Sequence, residues 1–199
     1  MTRKKADQQK NTTKIHTSLI DAALRLAAAK PWEFVSTYEI AMNAGVSLEQ
    51  LEDIFPNKHM ILEDIVRRLD SDVEQSFSEL DEKSSSRDRL FDVLMERFEM
   101  ANQHRAAHVS FFKSLGWTKT ESCNDVAMMR SSMTRMAKLA GIDVSLPLGP
   151  LRIIGLSALY SWVLLAWIKD DSPDLIRTMA QLDKSLGYAE KVLNYVGLK

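Results

Sequence analysis

The apolar residues of this chain recur with a helical period from Leu19 onward. One stripe contains Leu19, Ala22, Ala23, Leu26 and Ala27, as expected for an amphipathic helix. Further helices are predicted for residues 58–80, 87–104, 109–117, 124–141, 153–168 and 172–196. No stretch alternates with the period of two that is typical of strands. The sequence therefore predicts an all-α protein.

Two short helices are predicted between the first long pattern and the one that begins at residue 58. Ser36 and Glu39 form a capping box that opens the helix "TYEIAMNA", and Gly45 ends it in a left-handed conformation. A second capping box, Ser47-x-x-Gln50, starts another helix only eleven residues after the first. Two short capped helices joined by a turn around glycine are the helix-turn-helix pattern.

Pattern and charge divide the chain into three predicted parts. Residues 1–16 carry five basic residues and one acidic residue, a net charge of +4, and we expect a flexible basic arm. Residues 17–62 are the predicted helix-turn-helix domain of three helices. Residues 63–199 are the predicted C-terminal helical domain for ligand binding and dimerisation. Residues 17–60 contain six acidic and three basic residues, which gives a net charge of −3.

Composition excludes several classes of protein. The chain has 199 residues, a net charge of −1 and a single cysteine, Cys123, so no internal disulfide is possible and a reducing compartment is favoured. The charged N-terminus does not resemble a signal peptide. The uncharged run from Ile153 to Ile168 is shorter than the roughly 20 residues of a spanning helix, and we expect it at a buried interface. A cytoplasmic protein without a membrane span is predicted.

No catalytic or metal-binding constellation is recognisable. His104 and His108 have the spacing of two metal ligands on a helix, but no cysteine or carboxylate accompanies them. Serine, histidine and acidic residues occur in no nucleophile or oxyanion context. We therefore expect no enzyme activity, no cofactor and no metal site.

The segment around the two short helices resembles the N-terminal domain of TetR/AcrR-type transcriptional regulators. The resemblance covers roughly residues 19–65 and rests on "LIDAALRLAAAKPWEFVSTYEIAMNAGVS" and "FPNKHMIL". It implies a homodimer that binds a palindromic DNA operator, represses transcription and is released by a small hydrophobic ligand. The predicted recognition helix departs from the family pattern, because it carries Glu49, Glu52 and Asp53.

Candidate DNA contacts follow from the resemblance and from side-chain chemistry. They are Arg3, Lys4, Lys5, Thr37, Tyr38, Ser47, Leu48, Glu49, Gln50 and Lys58. The basic residues are candidate phosphate anchors, and the hydroxyls of Thr37 and Tyr38 lie near a helix N-terminus that suits phosphate. Alternatively, Thr37 only caps the helix and Tyr38 packs. Gln50 is the main candidate for base readout through adenine, and Glu49 is a candidate for cytosine.

The C-terminal half is rich in Met and aromatic residues, which line adaptable apolar pockets or simply fill a core. The candidate ligand-binding residues are Phe91, Met95, Phe98, Phe111, Phe112, Trp117, Met129, Met133 and Trp162. The candidate dimer interface comprises Gly155, Ala158, Leu159, Trp162 and Leu165. Small residues there allow another helix to approach closely.

A second resemblance favours a different function. The segment "DDSPDLIRTMAQLDKSL", residues 170–186, is similar to the end of the TetR-fold lipid-binding proteins of ubiquinone biosynthesis. That resemblance implies a lipid or quinone carrier that no longer binds DNA. The acidic recognition helix agrees with this alternative, whereas the basic arm and the intact helix-turn-helix favour the regulator.

Overall fold

The computed structural model describes residues 2–77, 83–114, 122–145 and 147–195, with only the backbone for residues 2–11, 122, 123 and 194. Within these ranges the regular elements are α-helices and one short 3-10 helix, Trp32–Phe34, so the predicted all-α fold is confirmed. The α-helices are α1 (Thr2–Ala29), α2 (Thr37–Ala44), α3 (Leu48–Ile54), α4 (Lys58–Ser76), α5 (Ser86–Asn102), α6 (Arg105–Ser114), α7 (Ser122–Leu139), α8 (Gly149–Trp167) and α9 (Ile176–Tyr195).

The two predicted capping boxes are present. The hydroxyl of Ser36 accepts from the backbone N–H of Glu39 at 3.2 Å, and the Glu39 carboxylate accepts from the Ser36 N–H at 2.9 Å. Ser47 and Gln50 make the same reciprocal pair at 3.1 and 3.0 Å. Gly45 has φ = 72°, which costs glycine little and most other residues considerably. The predicted helix-turn-helix is therefore confirmed.

The chain forms two compact units. The first contains residues 1–68 and 102–122, and the second contains residues 69–101 and 123–199. In the first unit, α1 packs against α2 and α6. Its buried core includes Leu19, Ile20, Ala23, Ile40, Leu51 and Ile61. The apolar stripe that predicted α1 supplies much of this core.

Helix α6 belongs to the first unit, although the predicted division assigned all residues after 62 to one C-terminal domain. The reason is a specific set of contacts around Trp32, which is 6% exposed. Ser110 accepts a hydrogen bond from the Trp32 backbone N–H at 2.8 Å and donates one to the Lys30 carbonyl at 3.2 Å. The Phe111 ring meets the Trp32 ring edge-on, with centroids 5.0 Å apart.

The second unit is built around aromatic and Met side chains. The Phe98 and Tyr160 rings are stacked with centroids 4.9 Å apart, and Trp167 lies 6.1 Å from Phe98. Met133 and Met136 are fully buried in the same unit. Helices α8 and α9 pack against each other.

Several helix starts differ from those expected from the sequence. The backbone of residues 2–16, expected as a flexible arm, is the first part of α1, since Lys, Arg, Gln and Ala favour helix even without an apolar stripe. Helix α5 begins at Ser86, one residue before the predicted start, and the hydroxyl of Ser85 caps it by accepting from the Asp88 N–H at 3.1 Å. Helix α9 begins at Ile176, not at residue 172, because Leu175 adopts φ = 48°.

Helix α8 has the length and composition of a membrane span, with a mean hydropathy of 1.4 over its most apolar window. Within the unit, 33% of that window is buried. A core or interface helix of a soluble protein has the same properties, so this single helix is weak support for a span.

Candidate nucleic-acid interface

Helix α3 exposes an acidic surface. Leu51 is fully buried and holds the helix on the core, and Leu48 is half-buried. Exposed positions of the helix are Glu49, Gln50, Glu52 and Asp53. This face offers acceptors for base edges but no cation for phosphates, so positive charge from elsewhere is needed to hold DNA.

Gln50 already has a structural role. Its side-chain oxygen accepts from the Ser47 backbone N–H at 3.0 Å, while the Ser47 hydroxyl accepts from the Gln50 N–H at 3.1 Å. Bidentate pairing with adenine uses both the amide oxygen and the amide nitrogen. To read adenine, the Gln50 side chain must therefore give up its hydrogen bond with the Ser47 backbone N–H.

The N-terminus of α2 presents hydroxyls to solvent. Tyr38 is 59% exposed, and Thr37 is half-buried. The Glu39 carboxylate accepts from the Lys30 ammonium at 2.6 Å and from Ser36. These hydrogen bonds, with that from Lys30 the largest, lower the pKa of Glu39 to about 2. Glu39 therefore stays ionised beside the helix N-terminus, where a negative charge is favourable.

Lys58 is turned towards Trp32. Its ammonium donates to the Trp32 backbone carbonyl and lies 4.3 Å from the centroid of the Trp32 ring. A phosphate contact by Lys58 competes with this cation–π and carbonyl arrangement.

The three basic arm residues lie on the first turns of α1. Arg3, Lys4 and Lys5 are thus consecutive positions of a helix. Their side chains lie outside the described part of the structure.

The structure also contains contacts of the first unit that no local spacing indicates. His16 Nε2 lies 2.9 Å from Asp64 Oδ2, and the His16 ring is 5.3 Å from the ring of Phe55, the residue that ends α3. Arg25 donates to the Asn43 side-chain oxygen at 2.8 and 3.2 Å. These residues support the two short helices, and their separation in sequence explains why pattern analysis missed them.

The candidate ligand residues do not form one set. Met95, Phe98 and Met133 are buried in the second unit, where Phe91 and Met129 are half-buried. Phe111 and Phe112 lie on α6 of the first unit, and Trp162 is 62% exposed. Trp117 lies outside the described residues. The eight described candidates are therefore divided between the two units.

A buried polar cluster occupies the second unit instead. Arg97 Nε donates to Asp70 Oδ1 at 2.9 Å, and the Ser132 hydroxyl donates to the same oxygen at 2.9 Å. Arg97 also donates to the Tyr160 hydroxyl. Burial raises the pKa of Tyr160, so its hydroxyl stays protonated. The four residues come from four helices, and the sequence contains no spacing that unites them.

An exposed apolar face runs along α8 and α9. On α8, Trp162 is 62% exposed and Leu165 is 49% exposed; Gly155 and Ala158 are exposed as well, and Leu159 is half-buried. On α9, the exposed apolar residues include Ile176, Met179, Tyr188 and Val192. Large exposed apolar side chains are typical of interaction sites, and those on α8 include the predicted dimer residues Trp162 and Leu165.

Comparison with solved structures identifies the fold as that of TetR-family transcriptional regulators. A TetR transcriptional regulator from Nitrosomonas europaea matches with a TM-score of 0.71 and 20% identity, over 88% of this chain and 97% of that chain. A TetR transcriptional regulator from a Rhodococcus species matches with a TM-score of 0.68 and 18% identity, over 89% and 96%. A TetR-family regulator from Streptomyces coelicolor matches with a TM-score of 0.59 and 19% identity, over 92% and 83%.

The sequence itself matches no protein-family model. It also matches no curated protein. At 18–20% sequence identity, the likeness to these solved structures establishes the fold alone, so function has to be argued from the site.

Proposed function

We propose that this chain is a TetR-type transcriptional repressor. It binds a palindromic DNA operator as a homodimer in the cytoplasm and is released by a small hydrophobic ligand. Its chemistry is recognition without catalysis, and it uses neither a cofactor nor a metal.

The observation that carries the proposal is the helix-turn-helix itself. Both capping boxes, the left-handed Gly45 and the fully buried Leu51 hold α2 and α3 at a defined angle. Such a rigid helix-turn-helix suits DNA recognition, because base contacts depend on a fixed placement of the recognition helix. The exposed Glu49 and Gln50 side chains are the groups available for base edges.

The apolar face of α8 and α9 supports the homodimer. Symmetric pairing covers the same patch on both subunits, and it removes Trp162, Leu165 and Tyr188 from water. A dimer also supplies two recognition helices, as a palindromic operator requires.

The Met-rich and aromatic core of the second unit supports a hydrophobic effector. Met133 and Phe98 are buried there, and Met side chains rearrange around a guest more easily than branched ones. The effector releases DNA if it favours a conformation in which the two recognition helices no longer match the operator.

A lipid or quinone carrier is the second candidate, and the acidic surface of α3 is the observation that favours it. Glu49, Glu52 and Asp53 are exposed and repel phosphates. The similarity of residues 170–186 to carrier proteins weighs less, because the structure gives that segment a capping role: Asp170 accepts from Ser172 and Thr178.

The deciding experiment measures DNA binding by fluorescence anisotropy, using the duplex upstream of the gene and a random duplex, across salt concentrations. Each phosphate contact contributes about 0.9 to the slope of log affinity against log salt. Replacing Arg3, Lys4 and Lys5 with Gln keeps a good helix former and is expected to flatten the slope by up to about 2.7 per protomer.

A matched control replaces three exposed basic residues of the second unit, Arg130, Lys138 and Lys169, with Gln. We expect the slope to stay at the wild-type value. If the wild-type protein binds neither duplex at low salt, the repressor proposal fails; co-purification of a lipid or quinone then supports the carrier.

A further inference from the structure

The first unit contains a cavity between α1 and the start of α6. Its volume is about 460 Å³, within the usual range for small-molecule sites. The lining residues are Asp21, Leu24, Arg25, Ala28, Gln103, His104, Arg105, Ala106 and Ala107. All of them belong to the first unit, so the cavity is separate from the Met-rich core of the second unit.

The lining combines positive charge with an apolar wall. The lining contains two cationic residues, Arg25 and Arg105, and one acidic residue, Asp21. Arg25 donates to a neutral acceptor, the Asn43 side-chain oxygen, at 2.8 Å. The acidic residue of the lining, Asp21, pairs with Arg68 at 3.3 Å. The site therefore has a positive balance.

The apolar wall consists of Leu24 and three alanines, Ala28, Ala106 and Ala107. Leu24 is 8% exposed and Ala107 is 1% exposed, so the wall is backed by the core. Short alanine side chains leave room for a flat group beside Leu24.

We propose that this cavity binds a small organic anion, such as an aromatic carboxylate or phosphate monoester. The anionic group pairs with the guanidinium of Arg25, with Arg105 as a second cation, and the apolar part lies on the alanine wall. Arg is suited to this role because its planar fork of donors matches carboxylate and phosphate oxygens.

The cavity is linked to the helix-turn-helix through Arg25. Arg25 holds Asn43 by Nε and Nη2 on its side-chain oxygen, at 3.2 and 2.8 Å. Asn43 is the second-last residue of α2 and precedes the Gly45 turn. An anion competes with Asn43 for the guanidinium, because a carboxylate or phosphate is a stronger acceptor than an amide. Occupancy of the cavity thereby loosens the end of α2.

Binding is tested on the full-length protein by isothermal titration calorimetry with phenyl phosphate and benzoate. Inorganic phosphate, which lacks the ring, and benzyl alcohol, which lacks the charge, are the comparison probes. We expect saturable binding of at least one aromatic anion and at least about tenfold weaker binding of both comparison probes.

Three variants locate the site. Arg25→Gln is expected to weaken binding about tenfold or more, since it removes a charge-assisted hydrogen bond. Asn43→Ala is expected to tighten binding, because it removes the competing acceptor. Arg130→Gln, an exposed arginine of α7, makes the same change of charge in the second unit and is expected to bind like wild type.

Hydrogen exchange of the amides of residues 43–46 is expected to rise when phenyl phosphate is present. The calorimetry and hydrogen-exchange measurements need no DNA, so they test the anion site even if the repressor proposal fails. A negative result in them says nothing against DNA binding. Only an effect of the anion on operator affinity rests on the proposed function. Two results overturn the proposal: neither aromatic anion saturates the protein below about 10 mM, a very weak affinity, or Arg25→Gln binds both as wild type does.

Discussion

Replacing Arg97 with Met is expected to destabilise the protein strongly. Arg97 is 3% exposed and Asp70 is 2% exposed, so the substitution leaves a carboxylate in the core without its cation. Only the Ser132 hydroxyl of the cluster then donates to it. Removing one partner of a buried ion pair costs about 3–5 kcal/mol, a large part of the roughly 5–15 kcal/mol by which proteins are stable.

The assays are urea and thermal unfolding, both followed by far-UV circular dichroism at one fixed protein concentration because dimerisation adds to the measured stability. For a chain of this length, 1 kcal/mol corresponds to a change of about 2–4 °C in Tm. The expected loss for Arg97→Met is therefore about 6–20 °C. Arg130→Met, on the exposed side of α7, is the control and should change Tm by less than about 2 °C.

A double variant tests the cause. Arg97→Met with Asp70→Leu removes both charges and fills a similar volume, so we expect it to regain most of the lost stability, to within about 2 kcal/mol of wild type. The reasoning is refuted if Arg97→Met alone costs less than about 1 kcal/mol, or if the double variant is less stable than Arg97→Met.

Three further predictions concern the start of the last helix, the proposed dimer interface and base recognition by α3. Burial by itself raises the pKa of Asp170, but hydrogen bonds from Ser172 and Thr178 outweigh it and lower the pKa to about 2. The ionised Asp170 therefore stabilises the protein by about 2 kcal/mol above the unfolded pKa near 3.8, and this stabilisation is lost as pH falls towards 2. Asp170→Ala should remove this stabilisation. An acid unfolding curve of the variant that is the same as that of wild type would contradict the prediction. Ala158→Arg should give monomers in light scattering, and a wild-type monomer at micromolar concentration would refute the interface. Gln50→Ala should cost about 1–3 kcal/mol at one operator base pair in anisotropy titrations, and an equal loss on all duplexes would indicate that only its cap matters.

The sequence by itself determined the local elements of the first unit. The capping boxes of α2 and α3 involve residues three positions apart, and the turn between them depends on one glycine with φ = 72°. Interactions of such short range involve residues close together in the sequence, so their presence can be predicted from residue spacing alone. The resemblance to TetR-type regulators rests on this same segment.

Patterning was less informative where helix propensity or packing overrides it. Residues 2–16 lack an apolar stripe yet continue α1, because polar residues such as Lys and Gln favour helix. Asp170 has the appearance of a solvated helix cap in the sequence, yet it is 1% exposed. Its burial depends on Thr178, which lies eight residues away and donates to it at 2.8 Å.

Only the tertiary structure decided which distant residues meet. Asp70, Arg97, Ser132 and Tyr160 join in one buried cluster, and Phe111 packs on Trp32. The cavity beside Arg25 likewise depends on α6 packing against α1. Periodicity identifies which face of a helix is buried, but it does not identify the helix that packs against that face. The packing partner depends on how the side chains of all helices fit together.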